Sequence, residues 1–299
     1  MRFGLCCIFL QEEIPFRTTT AKALSALPRR EQLEKLSTLC TGNAGNLLLA
    51  LQTVSRLKIG AFRILSGLFP RMTHPEVGYT VDELPQAPEI VDFLGRAKTF
   101  AKEHDIRLSF HPDQFIVLSS PTPAVVASAI RELDAQAEVA EAVGADVITL
   151  HAGGVYGSKE QALVRFCEVY GDLPERVRTR LALENDDISY TVRDLLPACY
   201  KTGIPLVYDV HHHRCNGDGL SIEEATYLSG ETWLPSKREQ YCHISSPRAG
   251  WGGADPKPHA DYIDPADFPE EWLGRSMTLD VEAKAKELAV LRLMRDLKL

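Results

Sequence analysis

A chain of 299 residues, 44% hydrophobic and 25% charged, has the usage of a folded domain with a full core, which excludes disorder, a collagen repeat or a disulfide scaffold. Seven cysteines, odd in number and without a C-x-x-C pair, favour neither a disulfide framework nor a structural zinc knuckle. The net charge of −8 argues against nonspecific coating of nucleic acid, but not against an enzyme whose local field is set by bound cations.

No run reaches the roughly 18 uninterrupted apolar residues of a membrane helix, and the N-terminus has no basic, then apolar, then cleavable pattern. A cytoplasmic protein with no membrane partner is expected. In chain order the β-rich runs are MRFGLCC (1–7), AFRILS (61–66), IRLSFH (106–111), DVITLH (146–151), RLALEN (180–185), PLVYDV (205–210), QYCHIS (240–245) and SMTLDVE (276–282). Amphipathic segments between them predict helices near 31–57, 86–104, 122–143, 159–179, 191–202, 221–229 and 283–297. The Pro-, Gly- and Trp-rich interval 246–275 reads as a long loop with at most one short helical turn. Strands this apolar are buried on both faces, as in a parallel sheet with crossover helices outside. Eight such units predict an α/β fold, a (β/α)8 TIM barrel, as a single domain over residues 1–299. A doubly wound open sheet is the alternative, but no G-x-G-x-x-G follows the first strand.

In a barrel of this kind side chains converge at the C-terminal strand ends, and that is where the chemistry-bearing residues fall. His111 closes the third strand, His151 the fourth and Glu184 the fifth. Asp209 closes the sixth, with His212 three residues on; His243 lies on the seventh, His259 in its loop, and Glu282 ends the eighth. His74 sits in the loop after the second. Of nine histidines only His104, in AKEHDI, is plainly elsewhere. Any one of them alone is more readily a hydrogen-bonded or surface residue than a ligand. Their repetition at strand ends, mixed with Glu and Asp, is the usual ligand set of first-row divalent metals. So many ligands predict two or three cations sharing a bridging carboxylate, for which Glu184 is the natural choice. Manganese, zinc and iron all suit such ligands.

Set in order, FHPDQF, TLHAGG, LENDD, YDVHHH, CHISS, HADYI and VEAKAKE give the chain a resemblance, over nearly its full length, to the UV damage endonuclease family, whose wider relatives include endonuclease IV and the xylose isomerase-like barrels. The resemblance implies a trinuclear metal centre that cuts double-stranded damaged DNA immediately 5′ of ultraviolet photoproducts. Carried over, His111, His151 and Glu184 would hold one metal, Glu184, Asp209, His243 and Glu282 its neighbour, and His212 and His259 the third. The family's D-x-x-H spacing selects His212 from the triplet, leaving His211 and His213 as supporting residues. Glu282 is preferred to Glu287, which is expected to be a salt-bridging helical residue. Gln114 and Phe115 match the pair that pushes into the duplex opposite the lesion, and His74 matches a mouth-lining histidine near phosphate. Leu5 and Phe9 stand where the family has a tyrosine and an asparagine near the lesion. Tyr241, grouped with the lesion-side residues, stands where it has a lysine modified to a carbamate.

The reaction expected is phosphodiester hydrolysis by water activated on a divalent cation, with further cations neutralising the phosphoryl oxygens. Catalytic roles are expected for Glu184, His74 and Lys159. Lys159 and Arg248 are candidate phosphate contacts from rim loops, and Trp251 is placed to stack on a base. Abasic sites and other distorting lesions are possible further substrates, and the enzyme is expected to act as a monomer. A sugar or sugar-phosphate isomerase and a multinuclear iron oxygenase are the competing readings of the same ligand set.

Overall fold

In the computed structural model, which describes residues 1–298, eight short parallel strands pair in sequence order and close on themselves. They are β1 (Arg2–Cys6), β2 (Ala61–Ile64), β3 (Arg107–Phe110), β4 (Val147–His151), β5 (Leu181–Glu184), β6 (Leu206–Asp209), β7 (Tyr241–Ile244) and β8 (Thr278–Val281). The TIM barrel expected from the sequence is the architecture found. Outside it run α1 (Ala21–Ser25), α2 (Arg29–Arg56), α3 (Ala87–Glu103), α4 (Pro123–Val143), α5 (Lys159–Asp172), α6 (Glu175–Arg178), α7 (Val192–Thr202), α8 (Val210–Cys215), α9 (Ile222–Glu231) and α10 (Glu287–Asp296). None of the described helices is long and apolar enough to cross a membrane.

Strand alternation explains how one chain makes two cores. Phe3 and Leu5 of β1, like Phe62 and Ile64 of β2, face the helix layer and join the main hydrophobic core. Each such side chain contributes about 1.5–3 kcal/mol on burial. The intervening positions face the barrel axis, where Val147, Ala182, Val207 and Tyr241 pack with Trp233 in a second, smaller apolar cluster. Gly4 is required on that inner face: a Cβ there would lie 2.0 Å from Asp280 Oδ1.

Four sequence expectations are corrected. The helix expected over 159–179 divides, because Leu173 is extended (ψ 149) before Pro174, as the residue preceding a proline prefers. The last helix begins at Glu287 rather than 283, after Lys286 adopts a positive φ of 51. Glu287 is no surface ion-pair residue; its buried carboxylate accepts the backbone N–H groups of Leu10 (2.8 Å) and Gln11 (2.7 Å), pinning the loop after β1. Within 246–275 there are two short 3-10 turns, Pro265–Asp267 and Glu270–Trp272, and an antiparallel bridge between Pro247 and His259.

Candidate metal centre

Position i and position i+2 of a strand share a face, so the inner face that carries Ala182, Val207 and Tyr241 low in the barrel carries Glu184, Asp209 and His243 at its mouth. Strand register then sets them side by side: His151 pairs with Glu184 and Asp209 with His243. Asp209 also caps α8, its Oδ1 accepting the backbone N–H of His212 at 2.8 Å. That bond anchors the carboxylate and leaves Oδ2 for another partner.

Glu184, fully buried, is the hub. His111 Nε2 lies 2.8 Å from its Oε2 and His243 Nδ1 2.8 Å from its Oε1, with His151 Nε2 at 3.7 Å and His212 Nδ1 at 3.4 Å. Glu282 Oε1 lies 3.5 Å from His243 Nδ1, and Glu282 Oε2 lies 3.5 Å from His259 Nδ1. Potential ligand atoms of His111, His151 and Glu184 all lie within 4.8 Å of one another, as do those of Glu184, Asp209, His243 and Glu282. The residues fit a divalent cation on their own chemistry. His111 donates Nδ1–H to the carbonyl of Pro112 (3.0 Å), so in the neutral ring Nε2 points a lone pair at a carboxylate, and a proton or a cation must sit between them. Asp209 Oδ2 and His151 Nδ1 are buried with no hydrogen-bond partner, which a protein interior tolerates rarely. His212 donates Nδ1–H to the carbonyl of Asn185 (3.0 Å), leaving Nε2 as an acceptor or ligand.

The electrostatics point the same way. Burial alone would raise the Glu184 carboxyl, yet His243, His151 and His111 hold it well below the usual range. Burial likewise opposes ionisation of Glu282, and Arg63 with His243 overcomes it. Burial pulls His212 down, but Asp209 and Glu184 overcome it, so it holds its proton well above the usual range near 6.5. Burial prevails at His151, which is pushed down. The cluster therefore gathers more negative charge than its one guanidinium balances, and without metal it recruits protons instead.

Of the other expected residues, Gln114 lines a cleft of about 350 Å³ together with His151 and His212, and Phe115 beside it is 77% exposed. The same cleft has Gly153 in its wall at φ +89, where a Cβ would meet Val117 at 2.5 Å. Arg248 is exposed, and its side chain makes no ion pair among the described residues. Trp251 packs on its own barrel, its indole N–H donating to Asp267 at 2.7 Å and its ring 5.7 Å from the Arg214 guanidinium. Lys159 is held by Asp194 at 2.7 Å, so a phosphate would have to displace that carboxylate. His74 accepts the backbone N–H of Glu76 (3.2 Å) and lines a separate cleft of about 340 Å³ with Phe110, Glu132 and Gln136; no residue of the two ligand groups lines it.

Tyr241 requires correction. It is 0% exposed inside the barrel, donating its hydroxyl to Asp280 Oδ1 (3.0 Å) and accepting from Ser109 (2.9 Å), so it cannot touch a duplex. Leu5 is fully buried against the helices and Phe9 stacks on Phe62 with ring centres 6.0 Å apart. His211 bonds the carbonyl of Lys257 (3.1 Å) and His213 the hydroxyl of Tyr208 (2.6 Å). His104 stacks on Phe100 at a helix end, away from the centre.

Two residues at the centre escaped the sequence reading, Arg63 and Asp280. Arg63 donates Nε–H to Asp280 Oδ2 (2.8 Å) and Nη2–H to His243 Nε2 (2.9 Å), and its Nη1 lies 2.6 Å from Glu282 Oε1. The available signal for Asp280 was its i, i+2 spacing from Glu282.

A family model described as "UV-endonuclease UvdE" matches residues 1–299. A UV DNA damage endonuclease of Bacillus cereus (strain G9842) is similar at 31% identity over 315 residues, spanning 99% of this chain and 94% of the relative. Among solved structures, one titled "Crystal Structure of SacUVDE" superposes with a TM-score of 0.87 at 30% identity, covering 100% of this chain and 98% of that one. Endonuclease IV from Thermus thermophilus shares the fold, with a TM-score of 0.61 at 15% identity and coverage of 99% and 98%.

Proposed function

The chain belongs to the UV-endonuclease UvdE family and so is a DNA-repair endonuclease, and from that premise we propose that it hydrolyses the phosphodiester immediately 5′ of ultraviolet photoproducts in duplex DNA, using divalent cations held around Glu184. The observation that carries the reading is that two separate ligand groups share this one buried carboxylate. His111 and His151 would complete one cation site, Asp209, His243 and Glu282 a second, and His212 with His259 would serve a third. Manganese, zinc and iron are all compatible with imidazole and carboxylate ligands. When bound, such ions acidify water and neutralise phosphoryl oxygens.

The chain's own residues do the rest. Barrel strands fix the ligands rigidly, which is worth more than placing them on loops. Cations at the mouth offset the net charge of −8 where a polyanion must approach. Gln114 and Phe115 stand on the rim, an amide and an aromatic face suited to unstacked bases. Arg248 is available to a phosphate, whereas Lys159 and Trp251 hold structural partners. The protein acts as a monomer on this reading. Membership of an endonuclease family sets aside the isomerase and oxygenase readings.

The test is incubation of cation-loaded protein with end-labelled duplexes bearing one photoproduct, one abasic site or no damage. A single incision directly 5′ of the photoproduct is expected. Equal cutting of all three duplexes, or a cut on the 3′ side, would refute the assignment.

A further inference from the structure

Arg63 is 7% exposed and lies on the inner face of β2, two residues beyond Ala61 and directly beneath the carboxylate cluster. Each of its three nitrogens meets a different partner: Nε the Asp280 carboxylate, Nη1 that of Glu282, and Nη2 the Nε2 of His243. The lattice continues downward. Asp280 has no exposed surface, and its other oxygen takes the Tyr241 hydroxyl, which in turn accepts from Ser109. Room for Asp280 on the barrel axis exists only because Gly4 has no side chain. A guanidinium has donors and no lone pair, so the Nε2 of His243 accepts from Arg63 and its Nδ1–H donates to Glu184 Oε1; a cation at Nδ1 would need Arg63 to release Nε2 to take up that proton.

A buried ion pair is weak evidence for stability, since an apolar pair of similar volume often serves the fold as well. Two of the three Arg63 partners carry ligand atoms of the same candidate cation site. On that geometry, and resting on the metal-centre reading above, we propose that Arg63 is a positioning residue of the centre: a permanent internal cation that holds the Glu282 carboxylate where a divalent ion can use it. Its planar fork spans three acceptors at once, which the single ammonium of a lysine does not reproduce. Asp280 serves as its counter-charge, so that the clamp adds little net charge to the site.

The test compares wild-type protein with R63K and with the double variant R63M/D280N, which removes the cation and its counter-charge together and leaves the net charge unchanged. Chelator-stripped protein is titrated with Mn2+, its metal content counted, and its metal-free unfolding midpoint recorded. Loss of an outer partner of a metal ligand costs about 10- to 100-fold in affinity. That loss is expected in both variants for one cation per chain only, with the His111–His151 cation bound as in wild type and the metal-free midpoint of the double variant unchanged. Wild-type affinity for every cation in both variants would overturn the proposal. So would equal weakening of all cations together with a lowered metal-free midpoint, which is the signature of a merely structural lattice. Wild-type protein that takes up no cation at all would instead remove the metal-centre reading itself, and the proposal with it.

Discussion

Replacing Glu184 with Gln is expected to strip cations and strand cutting from the protein together. Glu184 is the one residue present in both candidate ligand groups, and both of its oxygens already face imidazole nitrogens at 2.8 Å. The amide keeps the shape and removes the negative charge, and its nitrogen turns two N–H bonds toward a place where only acceptors are useful. A neutral bridge cannot balance two dications in a site shielded from water, where electrostatic attraction is least screened. Losing an outer partner of a ligand already costs up to about 100-fold, and a shared ligand affects two ions at once. Metal content per chain and the initial rate of cleavage of a damaged duplex are the readouts. A folded E184Q protein with wild-type metal content and rate would show that the bridge is elsewhere.

Phe115→Ala is expected to separate binding from metal chemistry. An aromatic side chain 77% exposed on a loop gains little by being there for the fold. As a stacking platform it is worth about 1–3 kcal/mol per base, which corresponds to about 5- to 150-fold in affinity. The expected result is that loss in binding of a photoproduct duplex, with metal content and unfolding midpoint unchanged, because Phe115 is in neither ligand group. Undamaged duplex, which offers no unstacked base, should bind almost as before. Equal affinity of wild type and variant for the damaged duplex would dismiss the wedge role.

Much of this centre was legible in the sequence because a parallel barrel turns order along the chain into position around a ring. A histidine or carboxylate at a strand end has one place to go, so His111, His151, Glu184, Asp209, His243 and Glu282 could be collected by their strand positions. What stayed hidden depends on partners distant in sequence. Arg63 sits in an apolar run, and nothing local in AFRILS announces that Asp280, 217 residues on, will neutralise it. Lys159 read as a free rim cation because Asp194 belongs to another helix, and Trp251 as a free stacking face because Asp267 lies 16 residues on in the same long loop, whose path the sequence does not reveal. Tyr241 could have been placed correctly. It shares a strand face with His243, and that alternation puts it inside the barrel, where it bonds Ser109 and Asp280.

The shared-carboxylate centre is tested most directly by the anomalous scattering of crystals grown with Mn2+. Strong peaks are expected on either side of the Glu184 carboxylate, one within bonding distance of His111 and His151 and the other of Asp209, His243 and Glu282, with a third at His212 and His259. Peaks that leave Glu184 untouched, or a lone ion bound away from these side chains, would contradict it.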